Sequence, residues 1–426
     1  MAWKRPTSLF TRGLLPLALS GLLAGCTALP ESVKDALDLI YLGEWDQSSP
    51  SEKVLAEERA RRRAEELSKM SAAQMRQEGA VDARVQANAE RVKADRLATL
   101  RDKATAGDAT AQAQLAEKLL IGDGVEPTAA TTEEALQWLE KSAATGNLEG
   151  VVGLAERDIL GDRSPEDAPD YAKAWPVINQ AADAGHPRAL FWRSQYRLLG
   201  LAGQKVDKSK ALADLKAAAQ DGLQAGFWPA KVLLVPHWSP EEQGYFNFYD
   251  ELPWLSHVAR HGFPTIATAI GTFYEAPGHY RDMKKALDFY TIGSRPGQGG
   301  VAADPAAQVA LAKLYLVGVP EIRLASDVPR AFQLYSAAAS AGALPAKVYV
   351  TLLNLIGQGD RHITTVEAEG QLASYCTSGE PYACELLGDA FAQGKFTFTP
   401  NTAKARQYYQ LGCQRGSLAS CQKQSP

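Results

Sequence analysis

The sequence predicts an all-α chain: a right-handed α-solenoid of helix-turn-helix repeats preceded by a long helix. Three observations predict it. A glycine recurs every 35 to 45 residues, as Gly146, Gly185, Gly222, Gly262, Gly297, Gly342, Gly379 and Gly416. Eleven positions before it stands Ala135, Ala174, Ala211, Ala286, Ala331, Ala368 or Ala405, with Glu251 the exception, and seven before it Leu139, Ile178, Leu215, Leu255, Tyr290, Tyr335, Leu372 or Tyr409. Small and large apolar residues at fixed helical offsets are what a packed helix face requires. The third observation is the stretch from Ser51 to Lys103, rich in Ala, Glu, Arg and Lys, with Gly79 its one interruption. These are strong helix formers. The 426 residues, 46% apolar, can bury a large core, and a net charge of −4 argues against a nucleic-acid partner.

The elements follow in order. Residues 1–25 read as a targeting segment: Lys4, Arg5 and Arg12 precede an apolar run from Gly13 to Leu23, too short for a membrane span of about 20 residues. The run ends in Leu23-Ala24-Gly25-Cys26, which resembles the lipobox of bacterial lipoproteins. The resemblance implies cleavage before Cys26, lipidation of its thiol and a membrane-anchored mature chain. Thr27 stands where an aspartate would resemble an inner-membrane retention signal, so the expected address is the periplasmic side of the outer membrane. Residues 26–50 read as a tether broken by Gly43, Ser48, Ser49 and Pro50. Residues 51–106 read as a charged helix with Ser51 as its N-cap. Its apolar residues hold no heptad register, so no sustained coiled coil is expected, and a solvated spacer is expected ahead of a partner-binding helix. Fifty helical residues reach about 75 Å.

From Gly107 onward the repeat takes over. Its second half is marked by glycines fifteen residues after the closing one: Gly122, Gly161, Gly200, Gly357 and Gly394. Each repeat is therefore a helix, a glycine turn, a helix and a second glycine turn. Gln298 to Ala303 is an insertion, with Pro296-Gly297-Gln298-Gly299-Gly300 as its loop. A two-helix unit cannot bury its apolar face alone, so residues 107–426 are expected to stack as one domain. The stretches AEKLLIGDGV (Ala116–Val125) with EALQWLEKSAATG (Glu134–Gly146), and LGDAFAQG (Leu387–Gly394) with AKARQYYQLGC (Ala403–Cys413), resemble the Sel1-like repeat, a relative of the tetratricopeptide repeat. The repeat from Leu223 departs most, with Val235, Pro236 and Pro240 where a helix and its turn are expected.

Four cysteines come as two pairs of identical spacing: Cys376 and Cys413 three residues before a closing glycine, Cys384 and Cys421 five after. Four cysteines allow three pairings. The repeat geometry favours Cys376–Cys384 and Cys413–Cys421, each straddling a glycine turn, and the arrangement resembles disulfide-stapled Sel1-like repeat proteins. Such bonds agree with an exported chain.

Candidate chemistry is sparse. His257 and His261 stand at i, i+4, but no Glu follows His257, so the H-E-x-x-H pattern is absent. They hold positions that are polar in other repeats (Lys141, Thr145), so exposed histidines and no metal or cofactor are expected. Ser420-Cys421-Gln422-Lys423 matches S-x-x-K without a K-T-G partner and reads as chance. Twelve residues after a closing glycine stand Leu119, Leu234, Tyr274, Tyr315 and Phe391, but Asp158 and Arg197 break the row, and Arg193 replaces an aliphatic. Two readings are open: an Asp158–Arg197 ion pair between repeats, or a groove patch of Asp158, Trp192, Arg193, Tyr196 and Arg197 that anchors a ligand.

The expected function is non-enzymatic: a lipid-anchored, periplasm-facing scaffold that binds other envelope proteins in a polysaccharide-export or secretion assembly. A peptidoglycan or β-lactam hydrolase and an exported effector that contacts a host remain as alternatives.

Overall fold

An acidic or amide side chain opens the second helix of most repeats, and a glycine follows its end. In the computed structural model, residues 91–164, 166–220, 228–234, 248–276 and 280–423 are described. The targeting segment, Cys26, the tether and residues 51–90 of the charged helix lie outside the described residues. Among the described residues the chain is helical, with one isolated bridge between Val319 and Leu324. It divides into two compact units, one running to Leu311 and the other beginning at Ala312.

The first helix described in the first unit is α1 (91–105). The helix pairs α2 (Ala109–Ile121) and α3 (Ala129–Ala144), α4 (Leu148–Leu160) and α5 (Tyr171–Asp183), and α6 (Pro187–Leu199) and α7 (Lys208–Gln220) follow. Then come α8 (Trp228–Leu234) and α9 (Phe248–Arg260), and α10 (Pro264–Glu275) and α11 (Met283–Gly293). Helix α12 (Pro305–Val317) spans the division. The second unit continues with α13 (Val328–Ser340), α14 (Leu344–Leu355), α15 (Thr365–Thr377), α16 (Pro381–Gln393), α17 (Thr402–Gln414) and the short α18 (Leu418–Lys423).

One turn module recurs between the two helices of a repeat. The side chains of Asp170, Asp207, Asp282, Asp327 and Asn401 accept the backbone N–H three residues on, as N-caps do. Their own backbone N–H groups donate to the carbonyls of Asp158, Arg197, Tyr274, Tyr315 and Phe391 at 2.7–2.9 Å. The basic side chain at the third helical position then lies over the aromatic ring of the preceding helix. Lys285 sits 4.9 Å from the Tyr274 ring centre, Arg330 4.2 Å from that of Tyr315, and Lys404 4.6 Å from that of Phe391. Such cation–π contacts contribute about 0.5–1 kcal/mol each at exposed sites.

The apolar register forms the core. The seven alanines eleven positions before the closing glycine are all buried, as are the large residues seven before it. The closing glycines Gly107, Gly146, Gly185, Gly262, Gly342, Gly379 and Gly416 have φ between +80° and +103°, where a side chain would be strained. Helix α1 ends against the first repeat: Leu97, Leu100 and Ala104 pack with Leu115, Leu119, Ala135 and Leu139.

Gly297 corrects the ruler. Helix α11 ends at Gly293, and Gly297 has φ −79°. Its lack of a side chain serves close approach, since a Cβ there would lie 2.0 Å from the Gly262 carbonyl oxygen. The inserted turn Gln298–Gly300 runs back to α5, where the Tyr171 hydroxyl donates to the Gln298 carbonyl at 3.3 Å. In the divergent repeat α8 and α9 are the helices described, and the residues flanking α8 on both sides, 221–227 and 235–247, lie outside the described residues.

In the second unit the four cysteines are bonded as Cys376–Cys384 and Cys413–Cys421, with Cα atoms 4.8 and 4.6 Å apart. Each bond joins the end of one helix to the start of the next across a glycine turn. The second fastens α18, the last helix described.

Candidate functional site

Helices α4, α6 and α9 surround a buried polar centre in the first unit. Glu156 of α4 is 1% exposed. Its Oε2 accepts the Trp192 indole N–H at 2.9 Å and its Oε1 accepts that of Trp254 at 3.0 Å. Arg157 pairs with Glu156 and, at 2.6 Å, with Asp162. Arg188 pairs with Glu117, stands 3.9 Å from Glu156 and lies 5.6 Å from the Trp254 ring centre. Burial would lower the Arg188 pKa, but Glu117, Glu156 and Glu149 together raise it, so the guanidinium stays charged. A buried network of this kind is held because each charge has a partner.

Trp254 is what fills the inner face of the preceding repeats. It packs edge-on against Phe191 and Trp192, at 5.4 and 6.1 Å between ring centres, and Phe263 lies 5.0 Å from Trp192. Trp192 and Tyr196 are fully buried and Arg193 is 8% exposed. Tyr196 donates its hydroxyl to the Tyr171 carbonyl at 2.9 Å. These three residues of the expected groove patch are packed interior: Trp254 of α9 lies against Trp192, Tyr171 and Trp175 of α5 lie against Tyr196, and Arg193 is held by Asp183 and Asp214.

The Asp158–Arg197 pair does not form. Asp158 bonds Arg163 at 2.8 Å and Lys173 at 2.9 Å, while Arg197 pairs with Asp214, which also holds Arg193 at 2.9 Å. The turn module explains the difference. Lys173 occupies the position of the cation that lies over an aromatic ring in other repeats, so the carboxylate of Asp158 takes that cation instead. Arg197 would face the corresponding Lys210, and it turns to Asp214 on α7, the helix packed against its own.

His257 and His261 also differ from the expectation of exposed, unengaged side chains. His257 Nε2 lies 2.7 Å from Asp162 Oδ2, and His261 Nδ1 lies 2.7 Å from the His257 carbonyl oxygen. Their rings are 4.1 Å apart. Burial would raise the Asp162 pKa, but Arg157 and His257 hold it below the usual carboxylate value. Burial first, and then the neighbouring His257, keep His261 below the usual histidine value, so its imidazole is neutral at pH 7. One ligand atom from each of Asp162, His257 and His261 lies within 4.8 Å of the others.

At the other end of the chain, Ser420 and Lys423 do not act on one another. Lys423 binds Glu385 at 3.0 Å and Asp389 at 2.8 Å, and Ser420 is fully buried beside the Cys413–Cys421 bond. Tyr409 donates its hydroxyl to Asp389 at 2.6 Å.

Glu156, Arg157, Arg188 and Trp254 carry the first unit's polar centre, and none follows from the apolar register. A signal for part of it was present: the tenth residue after five closing glycines is polar (Glu117, Glu156, Gln195, Thr272, Asp389) on helices that are otherwise largely buried, while Val232 and Leu352 follow Gly222 and Gly342. The partner that covers this row, Trp254, is 98 residues from Glu156, and no local pattern connects them.

A fold of stacked helix pairs with glycine turns is that of a helical-repeat protein. The chain carries Sel1 repeats: the Sel1 repeat model matches residues 109–147, 305–342 and 381–417. Sel1 repeats mediate protein–protein interactions. Over 215 residues the chain is 28% identical to NMB1327, an uncharacterized protein of Neisseria meningitidis serogroup B; the match covers 50% of this chain and 41% of that one. This chain thus spans less than half the length of that relative. Among solved structures it is similar to c5321, a protective antigen of uropathogenic Escherichia coli with an SLR fold, at 20% identity over 77% of this chain and 66% of that one, TM-score 0.36. It is also similar to a Sel1 repeat protein from Oxalobacter formigenes, at 19% identity over 76% and 88%, TM-score 0.34.

Proposed function

We propose that the protein is a lipid-anchored scaffold of the bacterial envelope, held on the periplasmic side of the outer membrane through Cys26 and binding other envelope proteins through its Sel1 repeats. The assembly it serves is of the polysaccharide-export or secretion kind. The observation that carries this reading is the pairing of Leu23-Ala24-Gly25-Cys26, behind a basic and then apolar start, with Sel1 repeats at residues 109–147, 305–342 and 381–417. Disulfides at Cys376–Cys384 and Cys413–Cys421 suit an oxidising compartment. Among the described residues no helix is long and apolar enough to cross a membrane, so a membrane address would rest on the lipid.

Metabolic labelling with palmitate tests the anchor. The expected result is a labelled mature chain in the outer-membrane fraction and loss of both label and membrane association in Cys26→Ser. Label that persists in Cys26→Ser sinks the anchor. Crosslinking in intact cells, followed by capture of the chain, tests the scaffold: envelope proteins should be recovered with the wild type. Recovery of the chain alone would count against the scaffold.

A further inference from the structure

We propose that Asp162, His257 and His261 form a site for one divalent transition-metal ion of the zinc type. Two imidazoles and a carboxylate are a donor set that such ions take, with further positions left for water. The ligand atoms lie within 4.8 Å of one another, and since two bonds of about 2.0–2.2 Å span at most about 4.4 Å, the side chains would draw in slightly around the ion.

Two features prepare the site for a cation. A backbone carbonyl only accepts, so His261 Nδ1 must be the donor to the His257 carbonyl at 2.7 Å. Its Nε2 therefore carries the lone pair, with the ring held in one orientation, as ligating histidines are held by their outer partners. Asp162 shows the second feature. Its Oδ2 is engaged by Arg157 at 2.6 Å and His257 at 2.7 Å, while its Oδ1 is buried with no hydrogen-bond partner among the described residues. That side chain is 9% exposed, so the stranded oxygen is costly unless something binds it.

The charges agree with a cation. Arg157 is shared between Glu156 and Asp162, and Arg188 pairs with Glu117 and stands 3.9 Å from Glu156, so the three carboxylates and two guanidiniums leave a net charge of −1 beside two imidazoles. On binding, Oδ1 takes the metal while Oδ2 keeps Arg157. The proton that His257 Nε2 lends to Asp162 moves to Nδ1 or leaves to solvent, freeing Nε2 as the second ligand. The His257 side chain is 17% exposed, which leaves a path for the ion.

The ion would act as a clasp. His257 belongs to α9, His261 follows that helix's last residue directly, and the third ligand lies in the turn after α4, 95 residues before His257. It would therefore hold in place the helix whose Trp254 covers the inner face of the earlier repeats.

Calorimetric titration of untagged, EDTA-stripped full-length protein with zinc chloride tests the proposal, with the visible absorption of the cobalt form as a second readout. The expected result is one ion per chain, a higher Tm with zinc, and affinity lower by on the order of 100-fold in His261→Ala. That variant leaves the Asp162–His257 contact in place; His261→Gln serves if the alanine variant misfolds, as judged by circular dichroism. His362→Ala, outside the site, should bind as the wild type does. No stoichiometric binding, or equal affinity in wild type and His261 variants, would overturn the site and leave an Arg157–Asp162–His257 ion cluster alone.

Discussion

Replacing Glu156 with leucine tests whether α9 is seated on α4 and α6. Glu156 accepts two indole N–H groups, from Trp192 and Trp254, and pairs with Arg157. Removing one partner of a buried ion pair costs about 3–5 kcal/mol. Each stranded indole N–H adds about 1–3 kcal/mol, overlapping in part with the first figure because one carboxylate serves all three. Burying a leucine returns about 1.5–3 kcal/mol. The expected loss is about 4 kcal/mol. Urea unfolding followed by tryptophan emission measures it: every tryptophan among the described residues lies before Ala312, so their emission reports on the first unit. Adding Arg157→Met should recover part of the loss, because the unpaired charge goes with it. A double-mutant cycle between Glu156→Gln and Trp254→Phe should show coupling of about 1–2 kcal/mol across 98 residues of chain. A loss below about 1 kcal/mol in Glu156→Leu, together with an additive cycle, would refute the docking of α9 and reopen Trp192 as a groove residue.

Two further outcomes follow from the same structure. Burial pushes the Tyr171 hydroxyl up to about 12 and raises those of Tyr196 and Tyr290 above the ordinary value of 10. A raised folded pKa means full stability below the unfolded value and loss as pH climbs toward the folded one. Urea stability of the first unit should therefore fall above pH 10, by about 1.4 kcal/mol per pH unit for each such tyrosine, and Tyr196→Phe should make that fall shallower; an unchanged slope counts against its burial. Replacing Cys413 and Cys421 together by serine opens a bond between residues eight apart and should lower stability of the second unit by about 2.5 kcal/mol. Far-ultraviolet circular dichroism in urea would read it, together with faster proteolysis at α18; equal resistance in both forms would show that the bond does not hold that end.

Much of the fold is legible in residues close together in sequence. The alanine and large apolar positions set by the closing glycine are buried as read, and both disulfides straddle the turns that the spacing marks. These are local matters. Helix period, glycine at positive φ and an eight-residue reach between cysteines are decided by neighbours in the chain. Gly297 shows where the local ruler misleads: the residue type matched, but its reason is the backbone of Gly262 pressed against it.

The candidate site lies on the other side of that division. Asp158 and Arg197 looked like partners because adjacent repeats would bring them near, yet each is claimed by a charge on the helix packed against it. Trp192 and Tyr196 are candidates for a groove by position, but Trp254 of α9 covers the first and Tyr171 and Trp175 of α5 cover the second. His257 and His261 looked solvent-facing because their counterparts are polar, and only the approach of the turn at Asp162 gives them work. By itself the sequence determined the helices, their turns and their repeat, because each depends on contacts within a few residues. The tertiary structure decided which inner faces are covered and which charges meet. Those contacts join residues 95 and 98 apart, and no periodic pattern carries information over that distance.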